Sequence, residues 1–245
     1  MLVKQRIKYI QTLGQKKFRE KEGFFIAEGP KLVHELLEAD VTAVKEVYAL
    51  KEWIDNSLVL PANISIVEIS EQELEKISQL TTPNLVVAIV QQFDTSNTLT
   101  AKDQITLALD KVQDPGNLGT IIRIADWFGI KQIVCSLDSA DMYNPKVVQS
   151  TMGSIARVKI IYTDLKEWLA VQKNIPIYAA SLQGENIASI KKINEGIIII
   201  GNESKGISKE LLKRAMIRIT IPAKGKAESL NAAVATGIIL SHILA

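Results

Sequence analysis

The sequence predicts an α/β fold in two parts: a small α/β unit over residues 1–98, and over 105–245 a mostly parallel sheet with helices on both faces. Three observations predict it. Short apolar runs alternate with helical patterns along the whole chain, the rhythm of layered α/β domains. Beyond residue 105 those runs are continuously apolar, as strands covered on both faces are. Between Val90 and Ile105 the chain turns polar and hydroxyl-rich without any apolar period, which marks a boundary between the parts. The 245 residues, 47% hydrophobic and 23% charged, suffice for two modest cores.

In the first part, residues 24–27, 44–49, 64–67 and 85–90 are short β-type runs, and Leu32, Leu36 and Leu37 set a helical pattern after Gly29-Pro30. Charge is uneven. Residues 1–21 carry Lys4, Arg6, Lys8, Lys16, Lys17, Arg19 and Lys21 against the single acid Glu20, although the net charge of the chain is only +2. Such a basic arm is either a solvated helix face or a contact for nucleic acid. Residues 51–100 reverse the balance, with Lys51 and Lys76 among seven acids, and this stretch is not expected to face phosphates.

In the second part the strand candidates are 105–109, 132–135, 158–161, 177–180, 197–200 and 217–221. A helix starting near Asn117, a good N-cap residue, places Leu118, Ile121, Ile122, Ala125 and Phe128 on one face. Arg123 points away from that stripe. No repeats occur at solenoid periods.

Several classes are set aside. No apolar signal core follows Met1, and no apolar run is long enough to span a membrane. One cysteine, Cys135, and two histidines, His34 and His242, supply neither a disulfide nor an evident metal set. A reducing cytoplasm is the expected compartment, so the sequons at Asn63 and Asn202 are read as chance matches.

Three segments crowd glycines and polar residues where a buried strand ends, the place at which open α/β sheets bind ligands. In Asp114-Pro115-Gly116-Asn117-Leu118-Gly119, a strand turns into a helix whose exposed N–H groups attract anions. An ordinary capped corner would explain the turn residues, but not Arg123. In Gly201-Asn202-Glu203-Ser204-Lys205-Gly206 the glycine spacing is that of a phosphate loop. Ile207 stands where such a loop needs lysine, so nucleoside triphosphate binding is rejected. The third segment runs from Ile221-Pro222 through Lys224-Gly225-Lys226 to Ser229-Leu230-Asn231. It precedes a helix, opened by Ser229 or Glu228, that is apolar almost all round and so suited to burial or to a second subunit. No Gly-x-Gly-x-x-Gly follows a strand, which excludes a dinucleotide-dependent dehydrogenase.

In order and in detail these segments resemble the three motifs of the SpoU (TrmH-like) family of SPOUT RNA 2′-O-ribose methyltransferases. Asn117, Gly119 and Arg123 match the first motif, Gly201-Asn202-Glu203 with Gly206 the second, and Ile221-Pro222 through Ser229-Leu230-Asn231 the third. The resemblance implies a catalytic domain over 105–245 with a C-terminal trefoil knot, which chain physics alone would not suggest. It implies a homodimer through that domain, and an L30e-like substrate-binding domain over 1–98.

S-adenosylmethionine is the implied cofactor, held by groups near Gly201, Ile221 and Leu230, with no metal. Arg123, Asn117, Glu203, Ser229 and Asn231 are the implied catalytic set, and structured RNA is the partner, ribosomal RNA favoured over transfer RNA. Lys4, Arg6, Lys8, Lys16 and Lys17 are the candidate RNA contacts. The alternative is a non-catalytic RNA-binding or ribosome-assembly factor that retains the donor pocket. A binder would have no chemical use for the whole polar set.

Overall fold

The computed structural model describes residues 1–57, 64–95 and 100–244. Asn63 of the first sequon and residues 96–99 of the hydroxyl-rich stretch lie outside the described residues. The chain forms two compact units, one of Met1–Asp94 with Asp141–Arg157 and the other of Thr95–Ala140 with Val158–Ala245. The linear boundary expected near residue 100 therefore omits one feature: residues 141–157 leave the second unit and fold with the first.

The first unit comprises α1 (Lys4–Thr12), α2 (Lys16–Glu22), β1 (Phe24–Glu28), α3 (Pro30–Ala39), β2 (Val44–Ala49), α4 (Lys51–Asn56), β3 (Ser65–Glu68), α5 (Glu71–Ile77) and β4 (Val86–Gln91). Its sheet has the order β1-β4-β2-β3, with β4 antiparallel to both neighbours and β2 parallel to β3. One face packs Ile26, Tyr48, Val87 and Ile89 against Ile10, Leu13, Leu74 and Ile77 of the flanking helical segments. A capping box starts α5: Ser70 Oγ accepts from the Glu73 N–H, and Glu73 accepts from the Ser70 N–H at 3.0 Å.

The two arginines of the basic arm are structural. Arg6 donates from Nε to the Tyr48 hydroxyl at 2.6 Å and pairs with Glu46, and its guanidinium lies 4.7 Å from the Tyr9 ring centre. Burial, and then the hydrogen bond to Glu46, push the Tyr48 hydroxyl up to about 12. Arg19 is 2% exposed and donates to the Leu13 and Gly14 carbonyls and to Asp141. Of the candidate RNA contacts, Lys4, Lys8, Lys16 and Lys17 are exposed, while Arg6 is half-buried and clamps α1 to β2.

The second unit opens with β5 (Ile105–Asp110), α6 (Pro115–Trp127) and β6 (Gln132–Ser136). The chain then contributes α7 (Pro145–Thr151) and a 3-10 turn, Ser154–Ala156, to the first unit. There the Tyr143 ring stacks 4.8 Å from that of Phe25 on β1. It returns as β7 (Lys159–Thr163), α8 (Leu165–Val171), β8 (Ile177–Asn186), β9 (Gly196–Gly201), α9 (Lys209–Leu212), β10 (Ile217–Thr220) and α10 (Ala232–Leu244).

The sheet order is β10-β8-β9-β5-β6-β7, and every pair is parallel. Ala108, Val134, Ala179, Ile197 and Ile199 pack against Trp168, Leu169 and Leu211 on one face. The alternate residues Leu107, Leu109, Ile198 and Ile200, also buried, point to the other face, where α6 and α10 pack together.

Three expectations are corrected here. Asp114, not Asn117, caps α6: its carboxylate accepts from the Asn117 N–H at 2.8 Å, and Pro115 takes the first helical position. The last helix begins at Ala232, with Asn231 Oδ1 accepting from the Ala233 and Val234 N–H groups at 2.9 and 3.2 Å; neither Ser229 nor Glu228 opens it. β8 runs six residues past the predicted end at Ala180, because its second half pairs with β10 after a bulge.

Removing one partner of a buried ion pair leaves the other charge uncompensated, which typically costs about 3–5 kcal/mol. Asp141→Ala should therefore destabilise the protein by about 3 kcal/mol or more in urea denaturation. Glu20→Ala, breaking an exposed i,i+4 pair with Lys16 at 3.7 Å, should cost no more than about 0.5 kcal/mol.

Candidate active site

The polar residues of all three sequence segments converge in the second unit, at the C-terminal ends of β5, β9 and β10. In the sheet register Asp110 is paired with Gly201, so both strands end at one level. After Gly201 the chain folds back tightly. Asn202 and Gly206 exchange backbone hydrogen bonds at 3.1 and 2.9 Å, with Gly206 at φ +66°. Position 201 admits only glycine, because a Cβ there would lie 2.4 Å from the Gly206 carbonyl carbon and from the Ile207 nitrogen.

Asn202 is the pin of this turn. Its Oδ1 accepts from the Ser204 and Lys205 N–H groups, both at 3.0 Å, while its Nδ2 donates to the Lys111 carbonyl at 2.8 Å. Asp110, 3% exposed, accepts from the Ser208 N–H at 2.6 Å and anchors the far end of the turn. Glu203 is thereby held at the tip, facing the first turn of α6.

With the cap assigned to Asp114, the side chain of Asn117 is released for other contacts, and it makes two. Its Nδ2 donates to Glu203 Oε1 at 2.8 Å and its Oδ1 accepts from Asn231 Nδ2 at 2.7 Å. Asn231 in turn caps α10. One residue from each segment thus joins a single line, Glu203–Asn117–Asn231, which fixes a carboxylate with one oxygen tied and the other open to a substrate hydrogen-bond donor.

Arg123 stands outside that line. It is exposed on α6, six residues beyond Asn117 and so roughly 9 Å further along the axis. Among the described residues it has no hydrogen-bond or ion-pair partner. Ser229 is exposed in the stretch before Asn231, and no side-chain hydrogen bond holds it among the described residues.

Gly201, Ile221 and Leu230 lie at the end of β9, just past β10 and just before α10. They border a feature missed in the sequence. Arg218 of β10 is level with Ala179 of β8, yet the next residue, Ile219, is level with Glu185, so residues 180–184 bulge from the sheet. Gly184 permits this by backing onto the Arg218 carbonyl, 2.3 Å from where its Cβ would be. Thr220 Oγ1 ties the bulge to the end of β10 by donating to the Ser181 carbonyl at 2.9 Å. Leu182 in the bulge is 72% exposed and Leu230 47%, apolar surfaces open at the strand ends. A cavity of about 340 Å³ lined by Asp103, Phe128, Lys131 and Leu244 lies at the other end of β5, remote from these groups.

The SpoU rRNA Methylase family matches residues 104–241. The chain belongs to this family. An MRM3-like substrate binding domain matches residues 4–88. Over 98% of this chain and 96% of its own length, the Bacillus subtilis 23S rRNA (guanosine(2553)-2'-O)-methyltransferase RlmP is 32% identical. A TrmH-family protein from Porphyromonas gingivalis superposes with a TM-score of 0.88 at 36% identity, covering 99% of this chain and 98% of that one. The AdoMet-bound rRNA methyltransferase from Sinorhizobium meliloti gives 0.84 at 30% identity, covering 99% and 95%. In this SpoU member, Asn117, Glu203 and Asn231 form one hydrogen-bonded unit.

Because Asn117 and its partners are only partly buried or exposed, Asn117→Ala should cost about 1 kcal/mol of stability. It should reduce methyl-transfer turnover about a hundredfold, because Glu203 loses the hydrogen bond that positions it. Thermal melts and single-turnover assays would separate the two effects, and a fall in activity explained by unfolding would refute the positioning role.

Proposed function

We propose that this protein transfers a methyl group from S-adenosylmethionine to a ribose 2′-hydroxyl of structured RNA, with ribosomal RNA as the substrate. The Glu203–Asn117–Asn231 line carries the proposal, since it joins the three segments at the strand ends.

The groups around Gly201, Ile221 and Leu230 suit the donor: backbone at the strand ends, exposed apolar side chains at Leu182 and Leu230, and no charged side chain among them. Such a lining fits an uncharged adenine and ribose. When bound, the cofactor supplies an electrophilic methyl group on a sulfonium. The protein's own task is to align the hydroxyl and relieve the charge that grows on its oxygen. The free oxygen of Glu203 accepts a hydrogen bond from the ribose, Asn117 keeps that carboxylate in place, and Ser229 donates from the stretch before Asn231.

A guanidinium is a permanent cation in proteins, which suits Arg123 to charge stabilisation rather than to the work of a base. In this reading it grips the phosphate beside the target and stabilises the attacking oxygen, whose proton is lost to water or transiently through the guanidinium.

Further parts of the reading rest on the chain's course and surface. Residues 1–98 bind RNA, with Lys4, Lys8, Lys16 and Lys17 as contacts, and residues 105–245 carry the chemistry. A trefoil knot belongs to this reading; the end of α10 lies against the β8–β9 connection, where the Ile243 carbonyl accepts from the Ile193 N–H at 3.0 Å and His242 Nε2 meets the Ile190 carbonyl at 3.2 Å. A homodimer through the α6–α10 face is supported by Trp127, Val234 and Ile238, which are 85%, 51% and 39% exposed. The unpaired, buried Cys135 suits the reducing cytoplasm.

The deciding experiment maps 2′-O-methyl sites in total RNA from cells with and without the gene, where one ribosomal site should vanish. Calorimetry should show S-adenosylmethionine binding; binding of ATP alone would overturn the proposal. Arg123→Lys should keep donor affinity and lose about a hundredfold or more in rate, because lysine lacks the planar fork. Full activity of that variant would show that charge alone suffices. Replacing Lys4, Lys8, Lys16 and Lys17 by glutamine should weaken RNA binding and flatten its salt dependence. An unchanged salt slope would leave them a solvated surface.

A further inference from the structure

Lys111 follows β5 on the rim of the site, and the chemistry above gives it no task. Its backbone is fixed on both sides: the N–H donates to Ser136 Oγ at 2.9 Å and the carbonyl accepts from Asn202 Nδ2 at 2.8 Å. Between these bonds it adopts φ +59°, the left-handed region where glycine is least strained. Half of the lysine side chain lies open to solvent. The residue is exposed, and among the described residues its ammonium reaches only the Asp138 carboxylate at 3.6 Å, the two side chains being 50% and 65% exposed. An ion pair this open to water adds little to stability, so the ammonium can exchange Asp138 for another anion.

A charged residue kept in a strained conformation, with rigid backbone and an unburied side chain, is the pattern of a functional position. Its location says which function. Lys111 adjoins Asp110, the register partner of Gly201, and is bonded to Asn202 beside Glu203. We propose that Lys111 binds a phosphate of the RNA strand next to the target ribose, and that Asp138 holds its ammonium at the rim until RNA displaces it. A lysine acts on phosphate as a compact point charge and needs no fixed fork, which suits a side chain that must swing between two anions. This inference rests on the RNA methyl-transfer reading.

Lys111→Gly in the full chain tests it, since glycine relieves the strained φ while deleting the charge. With unmethylated 23S rRNA transcribed in vitro, KM should rise about five- to tenfold, and the slope of log affinity against log salt should become shallower by about 0.7 to 0.9, one phosphate contact. The melting temperature should hold or rise, and S-adenosylmethionine affinity should not change. Asp138→Asn should tighten RNA binding.

A lowered melting temperature with an unchanged salt slope would make Lys111 merely structural and overturn the proposal. Weakened donor binding with unchanged RNA binding would overturn it too, assigning the ammonium to the donor's carboxylate. If the unaltered chain fails to methylate any RNA, the methyl-transfer reading falls, and filter binding of the same transcript still decides whether Lys111 holds phosphate.

Discussion

Where β9 leaves the sheet, the returning chain occupies the volume that any side chain at position 201 would need. That close approach lets Asn202 and Gly206 pair across the turn, and the pairing sets Glu203 at its tip. Glu203 in turn orients the Asn117 amide, and Asn117 selects the rotamer in which Asn231 both caps α10 and closes the line. A backbone contact at one strand end thus propagates through three side chains on three separate elements. None of the three is individually rigid. Their mutual hydrogen bonds, and the capping bonds at each end, fix them together.

Much of this was legible in the sequence because the relevant signals are local. Continuous apolar runs located all six strands of the second unit, and the four β-type runs of the first matched its sheet within one or two residues. Gly201, Asn202, Glu203 and Gly206 announced a turn at the mouth of a buried strand. What escaped depended on choices between similar donors and acceptors. Asp114 and Asn117 are both good caps, and it is the hydrogen bond from the Asn117 N–H to the Asp114 carboxylate, with Pro115 in the first helical position, that gives Asp114 the role. The choice matters, because an asparagine spent on capping could not have bridged Glu203 and Asn231.

Other features were invisible because they are long-range. The bulge at 180–184 depends on a strand more than thirty residues away, and hydropathy falls at Ser181 just where the strand continues. Burial of Arg19 could not be foreseen from a run of lysines, since its partner Asp141 is 122 residues distant. Counting cations gave the right total for the N-terminal segment and the wrong surface. Arg6 fastens α1 to β2, Arg19 ties the turn between α1 and α2 to Asp141, and the exposed charge belongs to lysines, whose flexible ammonium groups are less suited to fixed internal pairing.

The stretch 141–157 has a temporal meaning as well as a structural one. A ribosome delivers the chain from its N-terminus, so Arg19 emerges long before the carboxylate that neutralises it. At ordinary elongation rates of about 5–20 residues per second, the interval spans about 6–25 s. During that time the first sheet can form, but Phe25 and Arg19 lack the ring and the charge that cover them in the finished protein. By the time Asp141 and Tyr143 appear, β5, α6 and β6 have already been made. The N-terminal half of this protein therefore cannot mature as an independent early intermediate, and its completion is timed by synthesis of the first third of the other unit.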